Sequence, residues 1–589
     1  MSDNDRFVKQ ILRKYLFPTI LTILSTTFIS FINSILAGRM LGKNALGAIN
    51  IVSSFTFLYS MLGCLISIGA STCASVAIGK DDKKKADQYV TYALAASIIL
   101  PIIISIPCAI FFKQFMVLMG ADDLMYTYCV DYARVMIVFG FLTTLMYYPF
   151  NFLRLDGRGN LALYVFWIMA GADVILVELF MKLDLGLTGF GLAVVISTAI
   201  ADIIGLIILF TSKKSNIKPG RIAIVDIIRM SNEVFARGSA AGLNNLCNML
   251  RTIVLNAWVL RYLGTDGAGE FAVACSIINF TAASVSGSGQ TISPIVGIFH
   301  GEKDSTSMKM LMKSAALYAV FIHLIIAAFA VPGSRLIASL FGMGNEPLLS
   351  DTANAVNWVM ISLIPAALIN VYIYYYAAMK KTIISCLLTF MRAFGFVILV
   401  AYVAFATGHG KLVFASFLAA EILTALMMCI NALVIHNKKP GLNGLLLMDS
   451  IQNDNYISFS VDNTVEGAVS ASARMEEFFR EKEVSSKYTM TLPMALEELL
   501  LIVNEHCLKD MPDQSIDVRI FIDNDDILLR IRCGGKVFDP VAWYRKRSAT
   551  MSLEEMLMDE SLGMKMIDQK AKSITFQNTF GVNNLVVTI

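Results

Sequence analysis

"LAGRMLGKNALG" (36–47) and "WVLRYLGTDGAG" (258–269) are one text written twice, 222 residues apart, with Arg39, Leu41 and Gly42 falling on Arg261, Leu263 and Gly264. The same offset carries "IGKDD" (78–82) onto "HGEKD" (300–304), and an offset of 223 carries "DVILV" (173–177) onto "FVILV" (396–400). Matches that keep their order through loops as well as apolar runs are not what chance similarity of greasy text produces. They imply a duplicated unit. Two copies in the same orientation require an even number of crossings in each.

The text around the repeat is that of a membrane protein. Of 589 residues, 56% are hydrophobic and only 16% charged, against about a quarter charged in an ordinary soluble domain. Mean hydropathy is +0.65. Twelve apolar stretches fit, at 15–37, 46–78, 89–111, 125–150, 161–182, 189–211, 239–261, 268–298, 310–332, 352–377, 382–406 and 412–435. About 20 residues of helix cross the hydrocarbon layer, so the second and eighth imply tilt or a kink. The expected fold is an all-α polytopic membrane protein of two six-helix lobes, 1–222 and 223–440. Transporters built from such repeats hold their cargo between the halves.

Loop charges orient the chain. Twenty Lys/Arg fall in one set of loops, at 6–14, 80–85, 154–158, 213–221, 303–309, 380–381 and 438–439. The opposite set holds seven, Arg39, Lys43, Lys113, Lys182, Arg261, Arg335 and Lys411. The positive-inside rule then makes both termini cytoplasmic. The opening "MSDNDRFVKQILRKYLF" is too acidic, and too long before its apolar stretch, for a cleaved signal peptide. The ten cysteines show no CxxC or zinc spacing and read as small buried hydrophobes.

Ionisable side chains inside apolar spans are costly, and they mark cavities. Asp173 and the more peripheral Glu178 lie in the fifth stretch, Asp202 in the sixth, Arg251 in the seventh, His323 in the ninth and Glu421 in the twelfth. Ion coupling needs a carboxylate that takes up and releases a proton near neutral pH, as burial arranges. Asp173 and Asp202 are best placed for it, and a structural pair held by Ser, Thr or backbone partners is the competing reading. Arg251 suits a counter-ion or an anion contact. His323, with no acid near it in sequence, suits packing.

"INSILAGRMLG" (32–42), "FLRLDGRGN" (152–160), "GLTGFGLAVVIS" (186–197) and the doubled six-span plan resemble the multidrug and toxic compound extrusion (MATE) transporters over about residues 10–435. The resemblance implies a multi-pass protein of the cytoplasmic membrane, not an enzyme. Such a protein exchanges a proton or sodium ion for a cationic or amphipathic organic molecule by rocking two lobes. Flippases of the wider superfamily share the plan, so a lipid-like cargo is the alternative. Many relatives have an Asp near the end of the first span, where this chain has Asn33, and an Asn-xxx-Asp pair in the fifth, which here becomes Asp173 and Val177. Coupling has then moved to Asp173, or uses another ion, or is weak. Asn33 is expected to line the cavity.

Beyond a linker at 441–455 the chain changes character. Residues 441–589 carry 15 Lys/Arg against 23 Asp/Glu, a net of −8, leaving +11 for the remainder. Such a tail argues against nucleic acid. "YISFSVD" (456–462), "SIDVRIFID" (515–523), "DILLRIRC" (526–533) and a last hairpin read as strands. Helical patterns occupy 464–482, 494–509 and 561–572, giving one α/β sandwich over 456–589. Its order resembles the GHKL ATPase fold of anti-sigma-factor serine kinases, with every nucleotide box damaged. Glu498 is followed four residues later by Ile502 rather than the magnesium-binding Asn, and Asn504 lies about 200° round the helix. "CGGKVFDP" keeps Gly535 and Asp539 but has Cys533 where the adenine-binding Asp belongs. "SLGMKM" keeps Gly563 but has Ser561 at its partner glycine. The resemblance therefore implies neither ATP nor magnesium as cofactor, and no kinase activity. It points to a docking or sensing domain with a cytoplasmic protein partner. No Walker GxxxxGK[ST] occurs anywhere.

Overall fold

The computed structural model describes residues 5–40, 42–118, 123–211, 217–340, 346–438, 442–449, 455–509, 511, 514–523, 526–550, 562–579 and 581–589. Lys213, Lys214, Lys439, Asn524, Asp525 and Ser561 lie outside them. The chain forms two compact units, one of residues 14–155 and 159–449, the other of residues up to 13, 156–158 and 450–589.

In the first unit helices lie over all twelve apolar stretches. They are α1 (Asp5–Met40), α2 (Gly42–Gly79), α3 (Lys83–Ile110), α4 (Asp123–Leu145), α5 (Gly159–Lys182) and α6 (Gly186–Thr211). Then follow α7 (224–263), α8 (265–301), α9 (Ser305–Ala330), α10 (Glu346–Ala378), α11 (Thr382–Ala406) and α12 (Gly410–Lys438). Among the described residues nine helical segments are long and apolar enough to cross a membrane. Helices suit a bilayer because every backbone donor finds its acceptor within the segment. Gly264, at φ 70°, turns the chain between α7 and α8, and it is the repeat partner of Gly42.

The repeat performs the same local work twice. Asp82 caps α3 by accepting from the Lys85 amide at 3.0 Å, and Asp304 caps α9 by accepting from the Ser307 amide at 2.9 Å. The residues just before them, Asp81 and Lys303, both take left-handed backbone, at φ 63° and 55°. Small residues line the seam where α2 meets α7 and α8, which lets backbones approach closely. A Cβ on Gly79 would lie 2.2 Å from the Ile298 carbonyl oxygen, and one on its repeat partner Gly301 would lie 2.4 Å from that of Val76. Thr72 and Ser293 join their hydroxyls across this seam at 2.8 Å.

The tyrosines of "YIYYYAAM" (372–379) hold the linker. Tyr375 and Tyr376 are buried and donate to the carbonyls of Leu446 and Leu445 at 2.7 and 2.6 Å. Leu442–Asn443 pairs antiparallel with Met448–Asp449 to close that loop.

The second unit carries β1 (Tyr456–Asp462), α13 (Val465–Glu481), α14 (Ser486–His506), β2 (Ser515–Asp523), β3 (Asp526–Cys533), α15 (Pro540–Ser548), α16 (Leu562–Lys570), β4 (Ser573–Thr579) and β5 (Val582–Thr588). The five strands form one antiparallel sheet in the order β1-β2-β3-β5-β4. Alternation sends Ile516, Val518 and Ile520 of β2 and Leu529 and Ile531 of β3 into a common core with Met475, Phe479, Leu496 and Leu500 of α13 and α14. On the other face Asp517 and Arg532 stand opposite each other in register and form a buried ion pair at 2.6 Å. The helix α15 was not among the expected elements. Its start, Asp539 then Pro540, is a cap followed by proline at the first helical position. The Asp539 carboxylate accepts from the Val541 and Ala542 amides at 3.0 Å each.

Candidate functional site

Asp173 on α5 is 2% exposed. Ser197 on α6 donates its hydroxyl to Asp173 Oδ1 at 3.1 Å, and the Asn33 side chain on α1 hydrogen-bonds the same carboxyl. Tyr132 of α4 is buried close enough to interact with it electrostatically. Asp173 Oδ2 and Asn33 Oδ1 are left without hydrogen-bond partners among the described residues. Two of the candidates, Asn33 and Asp173, thus meet in one site. The site also takes in Ser197, a residue the sequence reading left within its motif. Val177, one turn on from Asp173, is fully buried and apolar.

The other candidates go elsewhere. Asp202 is 2% exposed with both carboxyl oxygens unpartnered among the described residues. It lies five residues past Ser197, about 140° round α6, so it is a separate buried acid. Glu178 does not belong to the cavity. Its neighbour in sequence, Val177, takes the buried face, which leaves Glu178 on the outside of α5, where it is exposed and paired with Lys182 at 2.8 Å, one turn on. His323 packs as expected, with Nδ1 on the Ala319 carbonyl at 2.8 Å and Nε2 at 3.0 Å from the Ser284 hydroxyl.

Arg251 lies in the other half of the repeat, in a cavity of about 60 Å³ between α7, α8, α10, α11 and α12. Arg392 and Glu421 line the same cavity and pair at 2.8 Å. The Arg251 guanidinium sits 5.2 Å from the Phe417 ring centre and also feels Glu421 and Arg392. Arg392 was missed from sequence, although an arginine in an apolar stretch was the available signal. It rides on a π-helical turn, Met391–Gly395, a local widening that recurs at functional sites.

In the second unit the candidate pocket residues are built into structure. Gly535 takes φ 88°, and a Cβ there would meet the Cys507 carbonyl oxygen at 2.5 Å. Cys533 is 3% exposed with its sulfur 3.6 Å from that of Cys507. The hydrogen bond from Cys533 holds the Cys507 thiol below its ordinary range, and giving that bond, with burial, pushes Cys533 up. Asn583 donates to Cys507 Sγ at 3.0 Å and to the Lys536 carbonyl at 2.7 Å, bracing the loop. Asn504 donates to the Thr464 carbonyl at 3.3 Å. Asp539 is occupied as the cap of α15, Glu498 lies on α14 and Gly563 on α16. His506, Phe538 and Trp543 cluster with ring centres 4.8 to 6.2 Å apart.

A duplicated bundle of long apolar helices with charged side chains buried among them is the architecture of a polytopic membrane transporter. The chain belongs to the MatE family, whose model matches residues 18–177 and 240–403, more than half of it and one segment in each half of the repeat. It is 21% identical over 318 residues to the multidrug export protein MepA of Staphylococcus aureus (strain MRSA252), covering 53% of this chain and 70% of that one. An outward-facing multidrug resistance MATE transporter of the MOP superfamily shares the fold, with a TM-score of 0.67 at 19% identity, over 72% of this chain and 95% of that one. So does a MOP superfamily transporter from Pyrococcus furiosus, with a TM-score of 0.68 at 19% identity, over 74% and 98%.

Proposed function

We propose that the protein is a secondary-active exporter that moves an organic molecule out of the cytoplasm in exchange for a proton or sodium ion, by alternating access of its two lobes. The observation that carries this reading is the Asp173 carboxyl, buried between an Asn33 amide and a Ser197 hydroxyl with one oxygen left over. A carboxylate held by two neutral donors keeps both of its states within reach. It accepts their hydrogen bonds when charged, and it is neutralised when a proton or a cation reaches the remaining oxygen. Asn33 and Asp173 exchange the residue types that many MATE relatives carry at these two places, so the site keeps one acid and one amide. Asp202 is a second acid available to the same traffic.

The tail serves as a regulatory domain of GHKL type without nucleotide chemistry. Supporting this, Cys533 offers a buried thiol where adenine would need a charged acceptor, and Asp539 is engaged as a helix cap. A membrane-tethered signalling protein, or a flippase with lipid-like cargo, is the second reading. The altered coupling positions favour it.

Reconstitution separates these. In proteoliposomes, pH- or sodium-driven efflux of a fluorescent organic cargo should fall at least tenfold in Asp173→Asn and recover in the double variant Asn33→Asp, Asp173→Asn. Gradient-driven efflux that survives Asp173→Asn at the wild-type rate refutes the coupling role.

A further inference from the structure

The cavity in the second half of the repeat has a charge imbalance. Arg392 and Glu421 neutralise each other at 2.8 Å, with side chains 12% and 10% exposed. Arg251, 9% exposed, is then surplus. Among the described residues it makes no salt bridge, and it lies against the face of Phe417. A buried guanidinium in a bilayer-embedded helix is costly unless a counter-charge reaches it.

The rest of the cavity is arranged to supply neutral polar groups around that charge. Asn244, Asn248 and Arg251 stand at i, i+4 and i+7 on α7, which places them on one face of the helix. Asn279 lines the cavity from α8. Two guanidinium groups and three carboxamides surround a space of about 60 Å³. A monoanion there would bring the cluster to neutrality, and a guanidinium fork matches a carboxylate, sulfonate or phosphate in shape as well as charge. An ammonium group would instead add to the surplus positive charge of Arg251. We infer that this cavity is a subsite for the anionic group of the cargo, and that the molecule moved is therefore an amphipathic organic acid rather than a simple cation. This rests on the exporter reading for its purpose, while the site itself stands on the charges alone.

The test uses two probes of one shape and opposite charge, 2-naphthalenesulfonate and 2-naphthyltrimethylammonium, titrated by calorimetry into the full chain in a neutral maltoside detergent. The sulfonate should bind at least tenfold tighter than the ammonium. Arg251→Gln should remove that preference, and Arg251→Lys should restore part of it. Should Arg251→Gln fail to fold, as judged by size exclusion, Arg251→Lys decides, since a point charge without the fork should weaken the sulfonate several-fold. Equal affinity for the two probes, no sulfonate binding at millimolar concentration, or a sulfonate affinity indifferent to Arg251 overturns the inference. Sulfonate binding that depends on Arg251 but is never accompanied by gradient-driven flux refutes the exporter reading and leaves the subsite standing. Asp173-dependent flux of the ammonium without sulfonate binding does the reverse.

Discussion

Replacing Gly238 by alanine should unlock the seam between the two halves of the repeat. A Cβ at this position of α7 would lie 1.8 Å from the Leu65 carbonyl oxygen of α2, about 1.2 Å inside the closest approach a real Cβ makes. The obstacle is backbone, so no side chain can swing away, and the helices must part. Overpacking of this kind costs about 1–3 kcal/mol. Charged against this state alone, that penalty shifts the balance between it and a state with α2 and α7 apart by roughly 5- to 150-fold. The reporter is built in, because Cys73 is 2% exposed in this seam and its sulfur accepts from Arg237 at 3.4 Å. In a variant whose only cysteine is Cys73, a membrane-impermeant maleimide added on the side that loop charges assign to the cytoplasm should label Gly238→Ala at least fivefold faster than Gly238. Labelling that stays as slow as in the parent, with thermal stability unchanged, refutes the claim that the seam is closed by backbone contact.

Two further outcomes follow from buried charge. His300 is crowded by Arg237, Lys80 and Lys380, and burial with those cations lowers its pKa to about 4. Its neutral form is favoured in the folded protein, so its stabilisation is complete above its ordinary value of 6.5 and is lost as pH falls toward 4. Discounted for partial exposure, this is about 1–2 kcal/mol, and thermal midpoints from pH 7 to 4.5 should fall less in His300→Asn than in the parent. In the second unit, Asp517→Ala should destabilise by about 3–5 kcal/mol, because it takes away the carboxylate with which the buried Arg532 pairs. The pair of substitutions Asp517→Leu, Arg532→Met should recover most of that, as read by hydrogen exchange of β2 and β3 in the full chain.

The parts of the structure that were legible in the sequence are those governed by local text. Apolar length marked the twelve long helices of the first unit but not the short ones at Phe112–Leu118, Tyr147–Leu155 and Ser334–Leu340, and alternation marked β1, β2 and β3. Burial inside a bundle has no such local signature. Glu178 and Asp173 are both acids in one apolar stretch, and only their positions around α5 decide that one is buried and the other pairs with Lys182 in the open. Arg392 escaped because its partner Glu421 is 29 residues away. Cys507 and Cys533, read one by one as small hydrophobes, meet only because β3 returns beside the end of α14. The last two residues of "CGGKVFDP" open a helix that no long apolar pattern marked, since an acid followed by proline caps as readily as it turns.

The repeat also separates residues that hold the frame from residues its two copies do not share. Positions the two copies share hold helices in place: the caps Asp82 and Asp304, the left-handed Asp81 and Lys303, and the crossing glycines Gly79 and Gly301. Asp173 and Arg251 stand at positions where they differ. At the offset that aligns "DVILV" with "FVILV", Asp173 stands opposite Phe396, and at an offset of 222 Arg251 stands opposite Ile29. The duplicated frame thus carries Asp173 in one half and Arg251 in the other, each at a place its repeat partner fills with an apolar residue. The two suit ligands of opposite sign, a cation at Asp173 and an acidic group at Arg251. Two such ligands need not compete for one side chain. The route that joins the two halves most tightly is the seam of α2, α7 and α8, where Gly79, Gly238 and Gly301 bring backbone against backbone.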